Sequence, residues 1–218
     1  MRTFQGASRD LFQSATRRFR ERRMRRFAAV FGIREGMRIL DVGGTPANWQ
    51  LLEVRPRVTI LNMPRAQESG SDRFEFVSGN GCQLPFPDRS FDIVFSNSVI
   101  EHVGPAENQR RFAEETRRVG KGYWVQTPNR FFPVEQHLLT PVIHLLPHAW
   151  QRAIVPRWTV WDWLERPTPD RREFYLEHYL NDVRLLGRSA LARLFPDARI
   201  SPGRWAGLSK SLVAWRVG

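Results

Sequence analysis

The chain has one cysteine, Cys82, in 218 residues. A single thiol excludes an intramolecular disulfide framework and suits a reducing compartment. No apolar run reaches the ~18 residues of a membrane span, and the start of the sequence carries no signal-peptide apolar core. The expected location is therefore cytoplasmic. Only two residues are lysine, Lys121 and Lys210, so the positive charge is almost all arginine. There are no internal repeats and no low-complexity tract beyond one arginine-rich block. The five histidines (102, 137, 144, 148 and 178) have no cysteine or carboxylate at ligand spacing along the chain, so no metal is expected.

What the chain does have is charge of one sign at one end. Lys plus Arg total 34 against 22 Asp plus Glu, a net charge of +12. Residues 1–38 hold eleven arginines against Asp10, Glu21 and Glu35, a net +8. Such a block favours an anionic partner, a phospholipid surface or nucleic acid. The bland counter-reading is that arginine is simply the preferred basic residue. An Arg-rich, acid-poor start also fits an organellar transit peptide. The length and composition suit one domain over 1–218.

The stretch that organises the rest is 37–48, Met-Arg-Ile-Leu-Asp-Val-Gly-Gly-Thr-Pro-Ala-Asn. It reads as a buried strand ending at Asp41, a turn at Gly43-Gly44, then a helix with Thr45 as N-cap and Pro46 at its first position. In open α/β sheets ligands bind at the carboxyl ends of the strands. Glycines there let backbone approach a ligand.

Before it, residues 8–31 predict a basic helix. Phe12, Ala15, Phe19, Phe27, Val30 and Phe31 share one face. It reads as a helix docked over the sheet or the ligand mouth, or as an interfacial helix with arginines on headgroups. After the turn, a helix is expected over Ala47–Glu53. Strands follow at Val58–Leu61, Phe74–Val77, Phe91–Phe95 and Tyr123–Val125, with a helix at Glu107–Val119. The alternation is that of a parallel, doubly wound sheet. From 130 to 187 it breaks, with six prolines and four tryptophans, as a lid or acceptor-binding insertion would. A helix capped by Ser189 and two strands, Ala198–Ile200 and Ser211–Trp215, close the chain as an antiparallel pair.

Three segments carry a family resemblance: Ile39-Leu40-Asp41-Val42-Gly43-Gly44, Leu84-Pro85-Phe86-Pro87-Asp88-Arg89-Ser90-Phe91-Asp92-Ile93-Val94, and Ser96-Asn97-Ser98-Val99-Ile100-Glu101-His102-Val103. In these the chain resembles class I S-adenosylmethionine-dependent methyltransferases of the type-11 group, which includes quinone-biosynthesis enzymes. The resemblance spans roughly 35–130. It implies a seven-stranded, mostly parallel, Rossmann-like α/β sheet with an antiparallel last strand, and S-adenosylmethionine as cofactor. The implied parts are the basic N-terminal helix (1–34), the cofactor-binding core (35–129), the insertion (130–187) and a C-terminal helix with a strand pair (188–218).

The resemblance assigns Asp41, Gly43 and Gly44 to the methionine part of the cofactor, and Thr45 follows them in the cofactor-binding set. Asn62 and Met63 stand at the second strand's tip, where the family carries an acid for the ribose. Asn80, Gly81 and Cys82 stand where the adenine is met, again with an amide for the family's acid. Asn97 and Ser98 complete the set. Methyl transfer needs an acceptor atom held in line and, for a hydroxyl, a base. The base candidates are His102 and His137, each with a packing role as its alternative. Asn129, Arg130 and Glu135 are candidates for a polar part of the acceptor. The fourth strand's tip lacks the Asn-Pro-Pro-Tyr pattern of amine and nucleobase methylators, which disfavours RNA. The expected activity is O-methylation of a small or lipid-linked acceptor, with peripheral contact to an anionic membrane. The alternatives are an RNA methyltransferase that uses the arginine helix and a non-catalytic cofactor-binding module.

Overall fold

The computed structural model describes residues 4–63 and 73–218, and within 4–17 the helical backbone alone. Seven strands form one sheet: β1 (Arg38–Val42), β2 (Arg57–Asn62), β3 (Phe74–Ser78), β4 (Phe91–Asn97), β5 (Gly120–Pro128), β6 (Arg199–Trp205) and β7 (Leu208–Arg216). Their order is β3-β2-β1-β4-β5-β7-β6. The first five run parallel, while β7 lies antiparallel to both β5 and β6. This is the expected sheet. The carboxyl ends of β1, β2, β4 and β5 therefore open on one edge.

Alternation along β1 shows how the sequence builds two cores. Leu40 packs on one face with Phe112, Tyr123 and Phe195, and Ile39 packs on the other with Phe95 and Trp124. The first face is covered by α3 (Ala106–Val119) and α7 (Arg188–Leu194), and the second by α1 (Phe4–Phe31). Met24 and Phe27 of α1 are fully buried. The Phe27 ring sits 5.0 Å from Phe95 and 5.7 Å from Trp124. Arg18, Arg20, Arg22, Arg25 and Arg26 stay exposed on the outer faces. The helix is thus docked on the sheet. Phe12 and Ala15, expected on its inner face, lie outside the described side chains.

Several expected boundaries move. The helix after the glycine turn, α2, is only Pro46–Trp49. Its continuation tightens into three-residue steps, Leu51 N–H to Asn48 O and Leu52 N–H to Trp49 O, and Pro56 keeps it from re-forming. Thr45 is extended and makes no capping bond with its side chain. The N-cap of α7 is Gly187, and Ser189 lies inside the helix.

Residues 130–187 form a helical unit with α4 (His148–Ile154), α5 (Val160–Glu165) and α6 (Pro169–Asp182). Leu138, Ile143, Val155, Leu176, Tyr179 and Val183 give it a core of its own. It is tied to the sheet's open edge by Arg184 N–H to Glu101 O and by the Gln109 amide to Arg184 O. That tie brings insertion side chains to the tip of β4. Among the described residues no helix is long and apolar enough to cross a membrane.

Candidate active site

The chain turns at the end of β1 through Gly43, at φ +74°, whose N–H donates to Leu61 O at 2.8 Å. A side chain is excluded there twice, by that φ and by Val99, whose Cγ2 would lie 2.4 Å from a Cβ. At Gly44 a Cβ would fall 1.8 Å from Asp41 Oδ2. Asp41 is therefore under the turn and fully buried. Its Oδ2 accepts from the Trp49 indole N–H at 2.7 Å, and its Oδ1 has no partner among the described residues. Burial pushes this carboxyl up to about 7, against the Trp49 hydrogen bond and the charge of Arg23. Gly43 and Thr45 remain exposed.

Two residues absent from the sequence-based site, Arg23 and Trp49, thus complete this corner. Arg23 comes from α1, and its guanidinium donates to Gln126 Oε1 at the end of β5. Burial first, then Arg20, lowers it to about 10. Its position among many arginines gave no sequence signal.

Asn62 ends β2, and its side-chain N–H donates to Gly44 O at 3.0 Å. Its Oδ1 has no hydrogen-bond partner among the described residues. Met63 follows, 62% exposed. Asn80 Oδ1 accepts from the Cys82 N–H at 2.9 Å, so those two groups serve each other. Gly81 packs against Phe112. The Cys82 thiol donates to Asn108 O, and burial raises its pKa. At the tip of β4, Asn97 Oδ1 is buried without a partner among the described residues. Ser98 takes a positive φ of 58°, and its N–H donates to Gln126 O.

Beyond that tip a 3-10 turn carries Glu101 and His102. Here the fold brings together what the sequence separates. His102 Nε2 lies 3.1 Å from His137 Nε2, and His102 Nδ1 lies 3.0 Å from His178 Nε2. His137 Nδ1 is 2.6 Å from Glu135 Oε1, and His178 Nδ1 is 2.9 Å from Asp182 Oδ2. Glu101 is fully buried; its Oε2 accepts from the Thr127 hydroxyl, and its Oε1 has no partner among the described residues. Burial and the two neighbouring imidazoles lower His102 to about 4. Burial opposes the charging of His137, but the Glu135 hydrogen bond and charge outweigh it and raise the pKa. Burial pushes Glu101 up to about 7. The expectation of no metal-ligand cluster needs correction: ligand atoms of Glu101, His102 and His137 all lie within 4.8 Å of one another. Spacing along the chain could not show it, because 35 residues separate the two histidines.

The three expected acceptor contacts have different fates. Asn129 donates to Ser209 O and accepts from the Phe131 N–H. Glu135 is buried and accepts from the His137 and Leu138 N–H groups as well as facing the His137 ring. Arg130 is exposed and lines a cavity of about 370 Å³ with His144, His148, Tyr179 and Arg184. The Tyr179 ring stands 6.3 Å from that of His137, so the cavity adjoins the histidine cluster.

Residues 34–122 match the family model described as methyltransferase domain. They run through β1 to β4 and α3, the glycine turn and the Glu101-His102 turn included. This stretch is similar to the methyltransferase family. The chain is 34% identical over 124 residues to a sterol 24-C-methyltransferase of Gibberella zeae, covering 51% of this chain and 30% of that enzyme. It is 28% identical over 121 residues to a ubiquinone/menaquinone biosynthesis C-methyltransferase of Methylobacterium nodulans, covering 55% of this chain and 44% of the relative. The matches thus span less than half the length of these relatives. Among solved structures, the domain resembles a chain of the complex between the Haloferax volcanii Trm112 methyltransferase activator and a methyltransferase. The TM-score is 0.54 at 14% identity, over 97% of this chain and 93% of that one. That likeness shows the fold.

Proposed function

We propose that this chain transfers a methyl group from S-adenosylmethionine to a hydroxyl of a small or lipid-linked acceptor. The observation that carries the reading is the solvent-open Gly43-Gly44 turn at the end of β1, braced by Asn62, in a sheet with a reversed β7. When bound, the cofactor supplies an electrophilic methyl carbon on sulfonium sulfur. The residues fit it. Gly43 and Thr45 are exposed, the Oδ1 of Asn62 can accept from a ribose hydroxyl, and the exposed Met63 can cover a flat ring. The unpartnered Asn97 Oδ1 supplies a further acceptor at the β4 tip.

His102 and His137, with Glu101 beside them, are the groups placed to draw the proton from the acceptor oxygen. Arg130 and Arg184, on the adjoining cavity, suit an anionic part of the acceptor. The sterol and quinone relatives support a lipid-like acceptor. Contact with a membrane fits the exposed Trp150, Trp158 and Trp163 of the insertion. Calorimetric titration with S-adenosylmethionine and S-adenosylhomocysteine tests the reading. Micromolar binding of both is expected, and a folded protein that binds neither overturns it. Flotation with anionic vesicles tests the membrane contact, and protein left at the bottom of the gradient removes it.

A further inference from the structure

The hydrogen bonds around the histidine cluster leave one position unaccounted for. Asp182, as a carboxylate acceptor, fixes the proton of His178 on Nδ1, so His178 Nε2 presents a lone pair to His102. His102 then carries its proton on Nδ1. On the other side Glu135 fixes the proton of His137 on Nδ1. With all three rings neutral, the two Nε2 atoms at 3.1 Å both present lone pairs to the space between them. Lone pair against lone pair is repulsive unless a cation sits there.

A proton would satisfy the two nitrogens and nothing more. It would leave Glu101 Oε1, on a fully buried side chain, without a partner among the described residues. A metal ion satisfies all three groups. Nitrogen–metal bonds of about 2.0–2.1 Å to two atoms 3.1 Å apart subtend about 98° at the ion, between octahedral and tetrahedral values. Each imidazole is also backed on its far nitrogen, His137 by Glu135 and His102 by the His178–Asp182 pair. Such backing orients metal-binding histidines and raises their basicity. Tyr175 holds the backbone there by donating from its hydroxyl to His137 O at 3.0 Å.

We infer that Glu101, His102 and His137 form a binding site for a divalent transition-metal ion, with two nitrogens and one carboxylate as ligands. Three protein ligands leave coordination positions for an oxygen ligand. The inference deepens the proposed reading and rests on it for one step only. There the bound ion would replace the free imidazoles as the group that activates the acceptor: the acceptor's hydroxyl would bind the open position, its O–H bond would break with the proton passing to water, and the oxygen would form its bond to the methyl carbon as the methyl–sulfur bond breaks and S-adenosylhomocysteine leaves.

The test uses the full chain, stripped with a chelator and desalted. It is titrated with Co²⁺ followed by visible absorption, and with Zn²⁺ by calorimetry. One equivalent per chain, visible ligand-field bands and a Kd in the micromolar range or tighter are expected. His102→Ala and His137→Ala should each weaken Zn²⁺ binding at least 30-fold, and Glu101→Gln about 10-fold. His148→Ala, outside the cluster, should leave it unchanged. Circular dichroism checks that each variant is folded. Wild-type protein that binds neither ion, or binding that survives in folded His102→Ala and His137→Ala, overturns the site whatever Glu101→Gln does. Titration of the metal-free protein with S-adenosylhomocysteine separates the two claims. Binding of it with no ion taken up removes the metal site and leaves the methyltransferase reading standing; an ion taken up with no such binding does the reverse.

Discussion

The side-chain amide of Asn62 donates to the carbonyl oxygen of Gly44 at 3.0 Å. This bond joins the tip of β2 to the glycine turn after β1 and gives the amide a role that an acid could not fill. A carboxylate has no proton to donate, and it would face the Gly44 carbonyl as acceptor against acceptor. Asn62→Asp should therefore weaken S-adenosylhomocysteine binding about tenfold, or ~1.4 kcal/mol, rather than restore a stronger ribose grip. Calorimetric titration of the two proteins decides it. A gain in affinity would show that the amide is a loss and not an adaptation.

Gly44 lies directly over the Asp41 carboxylate. The space is too small for a methyl group, and neither the turn nor the buried acid can retreat freely. Gly44→Ala should cost ~3 kcal/mol and lower the melting temperature by roughly 6–12 °C for a chain of this size. A thermal melt within 2 °C of wild type would mean that the turn is looser than its packing suggests.

Asp41 also predicts a pH dependence. Its pKa is about 7 in the folded chain, raised by burial, against about 3.9 for an unfolded aspartate. Between those values the folded state holds a proton that the unfolded state has lost. Its contribution to stability is full below about pH 4 and is lost as the pH rises to 7. Asp41→Asn keeps an acceptor for the Trp49 N–H and cannot titrate. The stability of Asp41→Asn relative to wild type should therefore grow from pH 4.5 to pH 7.5. Urea denaturation of both proteins at the two pH values measures this. A constant difference would contradict a raised Asp41.

Glu135 is held as an acceptor by two backbone N–H groups and the His137 ring. Glu135→Gln replaces one acceptor oxygen with a donor in a buried site. The turn at 135–138 should lose ~2–3 kcal/mol, and the His137 ring its orientation. Denaturant unfolding gives the first. The ¹⁵N shifts of the His137 ring nitrogens give the second, and should move from those of an Nδ1–H tautomer toward a mixture. Unchanged shifts would show that packing alone holds the ring.

The local code was legible in the chain. Ile39-Leu40-Asp41 followed by two glycines demands a buried strand and a turn that no side chain fits. Apolar runs at 58–61, 91–95 and 123–125 demand further strands with crossovers between them. Those facts led to the sheet, the glycine turn and the Asn62 position, because each depends on near neighbours and on alternation. The apolar pair Leu51-Leu52 suits a helix equally well, and only the tight turns around Trp49 show that α2 stops there.

The tertiary structure decided the chemistry at the far side of the crevice. His102 was readable as a residue after β4 and His137 as one in the insertion, each with a packing role as its rival. Their contact, the buried Glu101 between strand tip and insertion, and the backing from Glu135 and His178 all depend on the insertion folding back over β4. That docking is set by long-range bonds such as Arg184 N–H to Glu101 O, across 83 residues of chain. Periodicity and spacing along the sequence record nearest neighbours. They carry no trace of a pair that meets only after the chain has left the sheet, built a separate helical core and returned.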